Sequence, residues 1–143
     1  MTQAVELRLG GVVLSLTRIV VSFMFVLHGA ATLFGVLGAP VPTPVGQWPS
    51  WWAGLIQFVF GGLVLLGLFT RPAAVVSSGT MAFAYFSVHQ PRAHLPIQNA
   101  GELAAMYSWI FLLIAVLGAG PFALDTLLHR ARLARAEARV RAR

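Results

Sequence analysis

Apolar residues run almost unbroken through four stretches of the chain, at about 11–37, 51–69, 72–89 and 102–118. Each approaches the roughly 20 residues that cross a bilayer as an α-helix. Periodicity inside so apolar a run does not separate a helix from a buried strand. Length does, and lipid does not tolerate open sheet edges. The pattern predicts an all-α integral membrane protein. Residues 1–125 would form a four-transmembrane-helix bundle, and residues 126–143 a basic cytoplasmic tail.

The breaks between the runs are polar or rich in turn residues. Gly38 to Pro49 holds four prolines and no charge, and Trp48, Trp51 and Trp52 around its end have amphipathic rings that settle at headgroup level. Thr70-Arg71-Pro72 is a tight connection in which Thr70 is expected to cap the third helix while Pro72 takes its first turn. Pro91 to Gln98 makes the next loop. After Gly118-Ala-Gly-Pro121 the fourth helix ends, and Asp125 opens the polar tail.

Composition sharpens this picture. The chain has 143 residues, of which 58% are hydrophobic and 10% charged, against about a quarter charged in soluble domains. Arginines set the expected orientation: Arg8, Arg18, Arg71, Arg130, Arg132, Arg135, Arg139, Arg141 and Arg143 flank one side, and Arg92 alone the other. The positive-inside rule then puts both termini in the cytoplasm of a bacterial inner membrane protein with several spans. Arg8 before an apolar run and the small pair Ala30-Ala31 imitate a signal peptide, but the run exceeds an h-region and contains Arg18 and His28, so it is read as a retained span.

The tail supplies most of the formal net charge of +6. It is read as a stop-transfer flank and surface helix against anionic lipid, with docking of a partner protein as the other use. No base-stacking aromatic interrupts its arginines, so nucleic-acid binding is not expected. The absence of cysteine excludes disulfides, thiol redox chemistry, cysteine-ligated zinc and iron–sulfur clusters, and no metal site is expected.

Polar residues inside the runs carry the candidate chemistry. On the first helix Ser15, Arg18, Ser22, Phe25, Gly29 and Thr32 share one face by their three- and four-residue steps, with His28 on its flank. On the second, Gly54, Gln57 and Gly61 share a face that lets a neighbouring backbone approach. Ser78, Met81, Tyr85 and His89 are expected to form a stripe on the third helix, and Glu102, Met106 and Trp109 on the fourth. Arg18, Arg71 and Asp125 are read as structural polar residues, Arg18 either snorkelling or pairing with Asp125. Asn99 and Glu102 precede the last run, and a carboxylate at the mouth of a membrane helix needs water or a partner.

These residues also carry a resemblance. His28-Gly-Ala-Ala-Thr-Leu-Phe-Gly35, Gly61-Gly-Leu-Val-Leu-Leu-Gly-Leu-Phe-Thr-Arg71, Asn99-Ala-Gly-Glu-Leu-Ala104 and Leu117-Gly-Ala-Gly-Pro-Phe-Ala-Leu-Asp125 resemble the helix-end motifs of the DoxX family, in the family's spacing. The resemblance implies a four-helix bacterial inner-membrane protein linked to membrane oxidoreductase systems, including quinone-linked thiosulfate oxidation and oxidative-stress assemblies. His28, Asn99, Glu102, Arg18 and Asp125 match positions of the family pattern. Gln57 stands where members commonly carry Glu, and Thr32 where many carry Lys, so a paired-carboxylate proton relay is not expected.

The reading that unites these features is the membrane subunit of a redox or oxidative-stress system, in enzyme terms a quinone-linked oxidoreductase subunit, with a quinone-type site near the outer leaflet. His28, Gln57, Tyr85, His89, Asn99 and Trp109 would bind the ring, and Glu102 and His28 would handle protons. A non-catalytic anchor or assembly subunit is the alternative, with partner subunits or further copies of the chain as partners. A small carrier or channel is the third, and a haem between His28 and His89 the other cofactor those residues allow.

Overall fold

The first apolar run forms one helix, α1 (Gln3–Phe34), in the computed structural model, which describes residues 3–38 and 41–141. Arg143 and the side chains of Arg139 and Arg141, counted among the tail's charges, lie outside the described residues. The helix starts before the apolar run because Gln3-Ala-Val-Glu-Leu-Arg-Leu is itself a good helix former. It ends where Gly35 turns left-handed.

Helix α2 (Ser50–Leu66) stops three residues short of the apolar run, on Gly67 at φ 70° and ψ 38°. A Cβ at Gly67 would stand 2.5 Å from that of Ala123, so both the left-handed backbone and the contact require glycine. Helix α3 (Thr70–Ala84) runs on into a π-helical turn, Tyr85–His89. A one-turn helix α4 (Pro96–Asn99) leads to α5 (Glu102–Leu117), and the tail is helical as α6 (Leu124–Arg141). The described secondary structure is all helical.

α1 packs along α2, α2 along α3 and α3 along α5, with a lighter contact between α1 and α5 closing the group. α1 and α2 approach closely at Gly29, where a Cβ would lie 2.6 Å from the Phe58 nitrogen and 2.8 Å from the Gly54 oxygen. Ser78 Oγ donates to the Ser108 carbonyl at 2.8 Å and ties α3 to α5. Phe25, Val64, Met81, Tyr107, Phe111 and Ile114 fill the centre.

Polarity is inverted relative to a water-soluble bundle. Ser15, Arg18, Ser22, Gln57, Ser77 and Ser78 are buried, whereas Leu16, Val20, Phe23, Val59, Trp109, Leu113 and Val116 face outward. Among the described residues, α1 alone is long and apolar enough to cross a membrane on length and composition. At 17 and 16 residues, α2 and α5 are apolar but shorter, about 25 Å at 1.5 Å per residue.

One end of the bundle is held by two side chains whose partners differ from those expected. Arg18 neither snorkels nor bonds to Asp125. It is fully buried, and its Nε and Nη atoms donate to the carbonyls of Ala119, Val64, Leu65 and Phe122 at 2.5–2.9 Å. The carbonyl end of α2 and the turn after α5 both lack helical donors, and one guanidinium fork serves both. Thr70 likewise does not cap its own helix. Asp125, from beyond α5, accepts from the Phe69 and Thr70 amides and the Thr70 hydroxyl, each at 3.0 Å. A carboxylate reaching a helix N-terminus satisfies two orphan amides and opposes the dipole, which a hydroxyl does less well. Arg71 is exposed and lies against Gly118.

Candidate functional site

About 15 Å along α1 from Arg18, ten residues at 1.5 Å each, the helices part around a cavity of ≈ 260 Å³. Its walls are Phe25, Met81, Ala84, Ala100, Leu103 and Ala104, and its polar groups are His28, Gln57, His89 and Tyr107. Phe25 and Tyr107, with ring centroids 5.2 Å apart, join it to the buried aromatic cluster that includes Phe111.

Each polar group reaches the cavity for a local reason. Gln57 lies on the α2 face shared with Gly54 and Gly61, the face drawn against α1 by close backbone approach. It is 6% exposed, and its Oε1 has no hydrogen-bond partner. A buried amide oxygen left alone costs about 1–3 kcal/mol, a cost that rotation of the side chain toward a donor in the cavity would relieve. His28 flanks the buried face of α1 and stands at the rim, exposed yet lining the cavity.

His89 arrives through the π-helical turn. Gln90 N bonds to Tyr85 O at 2.8 Å, the five-residue step of a π-helix. That step puts Ala84 and His89 on one face, so both line the cavity, while the Tyr85 ring packs beside Gly101 and lies 5.2 Å from the Phe86 ring, outside the lining. The His89 Nδ1 lies 3.1 Å from the Asn99 carbonyl oxygen. Asn99 is buried without touching the cavity. Its amide donates to Ala93 O at 2.9 Å and its Oδ1 accepts from Gly101 N at 2.8 Å, which pins the loop that carries this carbonyl.

The structure thus brings His28, Gln57 and His89 to one cavity, places Asn99 behind it, and leaves Tyr85, Glu102 and Trp109 outside its lining. Glu102 is exposed in the first turn of α5, and Trp109 is 72% exposed on the outer surface, as is Met106. The stripe expected on the fourth helix is therefore corrected. Its inward face is Ala104, Tyr107, Phe111, Ile114 and Ala115. Ala104 and Ala115 on that face let a neighbouring helix approach, while Tyr107, Phe111 and Ile114 fill the centre. Tyr107 is the cavity residue that sequence reasoning missed. The three- and four-residue steps joining Ala104, Tyr107, Phe111 and Ile114 were the available signal.

At the far end, burial raises the Asp125 carboxyl, but hydrogen bonds from Thr70 and Phe69 and the charge of Arg18 outweigh it and hold the group below its usual range.

A family model described as DoxX matches residues 13–90, which contain His28, Gln57 and His89. An uncharacterized protein of Haemophilus influenzae is 44% identical over 117 residues, covering 78% of this chain and 87% of the relative. No solved structure matches.

Proposed function

Because the chain belongs to the DoxX family, we propose that it is the membrane subunit of a redox system and holds a quinone-type molecule in the cavity between His28, Gln57, His89 and Tyr107. The observation that carries this reading is the convergence of His28, Gln57, His89 and Tyr107 on one cavity whose remaining walls are apolar. An apolar slot with few convergent polar groups is what a lipophilic ring with two oxygens requires. The cavity lies below the roughly 300–1,000 Å³ typical of drug-sized ligands, which favours one substituted ring over a haem macrocycle.

A quinone supplies reversible two-electron, two-proton chemistry when bound. The protein's own groups orient and solvate it. Tyr107 and His28 offer hydrogens to a ring oxygen, Gln57 offers an amide, and Phe25, Met81 and Leu103 exclude water from the ring face. Glu102, next in sequence to the lining residue Leu103 but itself exposed, stands between the cavity and its surroundings and does not contact the ring. Electrons pass to or from a partner protein, since the chain has no cysteine to carry them.

The membrane setting rests on the inverted polarity. Large apolar side chains cover the outside of all four packed helices, an arrangement that is costly in water and ordinary in lipid. Four spans then place both termini, with their arginines, in the cytoplasm of a bacterial inner membrane and the cavity toward the outer leaflet. The short α2 and α5 are accommodated by local thinning or by their polar flanks.

Binding of decylubiquinone to the purified protein in nanodiscs tests this reading. His28→Ala and Gln57→Leu are each expected to weaken it about tenfold, the loss of one buried hydrogen bond. Unchanged affinity in both would refute the site. The exposed basic helix α6 supports a second reading, an assembly subunit docking a cytoplasmic partner. In that case deletion of residues 126–143 disperses a co-purifying complex while the cavity variants do not.

A further inference from the structure

Resting on the quinone-type reading and narrowing it, we infer that the cavity selects a guest that donates hydrogen bonds, the hydroquinone or phenol form, and that His89 is the acceptor because the Asn99 loop fixes its tautomer. The Asn99 carbonyl, 3.1 Å from His89 Nδ1, has only lone pairs to offer. The hydrogen of a neutral His89 therefore sits on Nδ1. Nε2 is then a bare lone pair, and it is the one ring nitrogen left to a guest of the cavity that His89 lines.

The carbonyl cannot easily turn away. Asn99 is 3% exposed, and its side chain bridges Ala93 O and Gly101 N across the loop. Ala100, which lines the cavity, completes the turn in a left-handed conformation at φ 55°, and a Cβ at Gly101 would meet the Asn99 Oδ1 at 2.6 Å and the His89 Cβ at 2.9 Å. Asn99 is thus a positioning residue, acting through His89. An acceptor at His89 Nε2 favours a hydroxyl group over a carbonyl oxygen opposite it, because a carbonyl facing a bare lone pair loses its hydrogen bond and gains repulsion, whereas the Tyr107 hydroxyl can meet either form at the guest's other oxygen.

Nitrogen NMR of the full chain labelled at its histidines, in nanodiscs, reads the tautomer directly, with His89 assigned by the resonance missing from His89→Ala. The expected result is a protonated Nδ1 and an unprotonated Nε2 that shifts on addition of decylubiquinol or para-decylphenol and not of decylubiquinone. Wild-type protein is expected to bind decylubiquinol about tenfold tighter than decylubiquinone, one net hydrogen bond. His89→Ala should bring the two to parity, and Asn99→Ala should mix the tautomers. A hydrogen on Nε2, or equal binding of both forms in the wild type, overturns the inference. If both forms bind equally and respond to His28→Ala and Gln57→Leu, the quinone reading stands without it. If para-decylphenol alone binds, through His89, the donor-selecting site stands and the quinone reading falls. Failure of all three probes to bind overturns both.

Discussion

Arg18→Met removes a guanidinium while keeping a side chain of similar reach and apolar stem. Arg18 serves four carbonyls. That of Val64 keeps the Gly67 amide at 3.0 Å. Leu65, Ala119 and Phe122 have no replacement donor among the described residues. At about 1 kcal/mol for each carbonyl left alone, the loss is about 3 kcal/mol. Relief of the cation's own desolvation opposes this, and for a poorly bonded buried charge it would win. Here the guanidinium makes four hydrogen bonds, so the carbonyl loss is expected to exceed that relief.

Arg18→Lys keeps the charge but draws its hydrogens from one point, and one point cannot reach both the end of α2 and the turn after α5. Its expected loss lies between parent and Met, about 1–2 kcal/mol. Reversible unfolding in mixed micelles titrated with SDS measures both. A Met variant within about 0.5 kcal/mol of the parent, the range of a surface substitution, would show that water satisfies these carbonyls and that Arg18 is not a clamp.

Gly29→Ala pushes a methyl against backbone of α2 on two sides and should cost about 1–3 kcal/mol in the same titration; a neutral result would mean that the helices are farther apart. Gln57→Leu should stabilise the empty protein by about 1 kcal/mol, because it removes an unpartnered buried oxygen, while weakening ligand binding. Asp125 has a lowered folded-state pKa, so its contribution is full above the unfolded value of about 3.9 and fades as pH falls through the folded one. Unfolding measured from pH 6 downward should therefore steepen below about pH 4, and Asp125→Asn should flatten that slope. Glu102→Gln should leave ligand affinity unchanged, since the carboxylate is exposed outside the cavity lining.

Sequence periodicity located the inward faces of α1 and α2 because polar and small residues there interrupt an apolar background. Ser15, Arg18, Ser22, Phe25 and Gly29 recur at helical steps, as do Gly54, Gln57 and Gly61, and all are buried. On α5 the same reasoning misled. Its polar marker, Glu102, sits in the first turn, where the dipole and solvent accommodate a carboxylate whichever way the helix faces. The π-helical turn at Tyr85–His89 leaves no mark in the spacing; Tyr85 and His89 both lie beside Gly101, but of the two only His89 reaches the cavity lining. The partners of Arg18 and Asp125 were hidden for another reason. They are backbone groups tens of residues away, exposed by helix ends whose positions depend on Gly67 and Gly120.

On the membrane reading proposed above, the two ends of the bundle follow from one property of lipid as a solvent. In hydrocarbon every backbone group must be satisfied from within, so the ends of α2, α3 and α5 at the Arg18 side are bound to side chains carried over from other elements. Those bonds join α1, α2, α3 and the turn after α5 at one level, where relative sliding would break several at once. At the other end the loop is satisfied by Asn99 within itself, and the Gln57 amide oxygen is left unpartnered. A pocket can persist there because the helices are held apart and in register from below. Weakening the Arg18 clamp should therefore lower ligand affinity as well as stability, although Arg18 lies two turns of α1, about 10 Å, from the nearest lining residue of that helix, Phe25. If Arg18→Lys lost stability and kept full affinity, the cavity would be held open by its own walls alone.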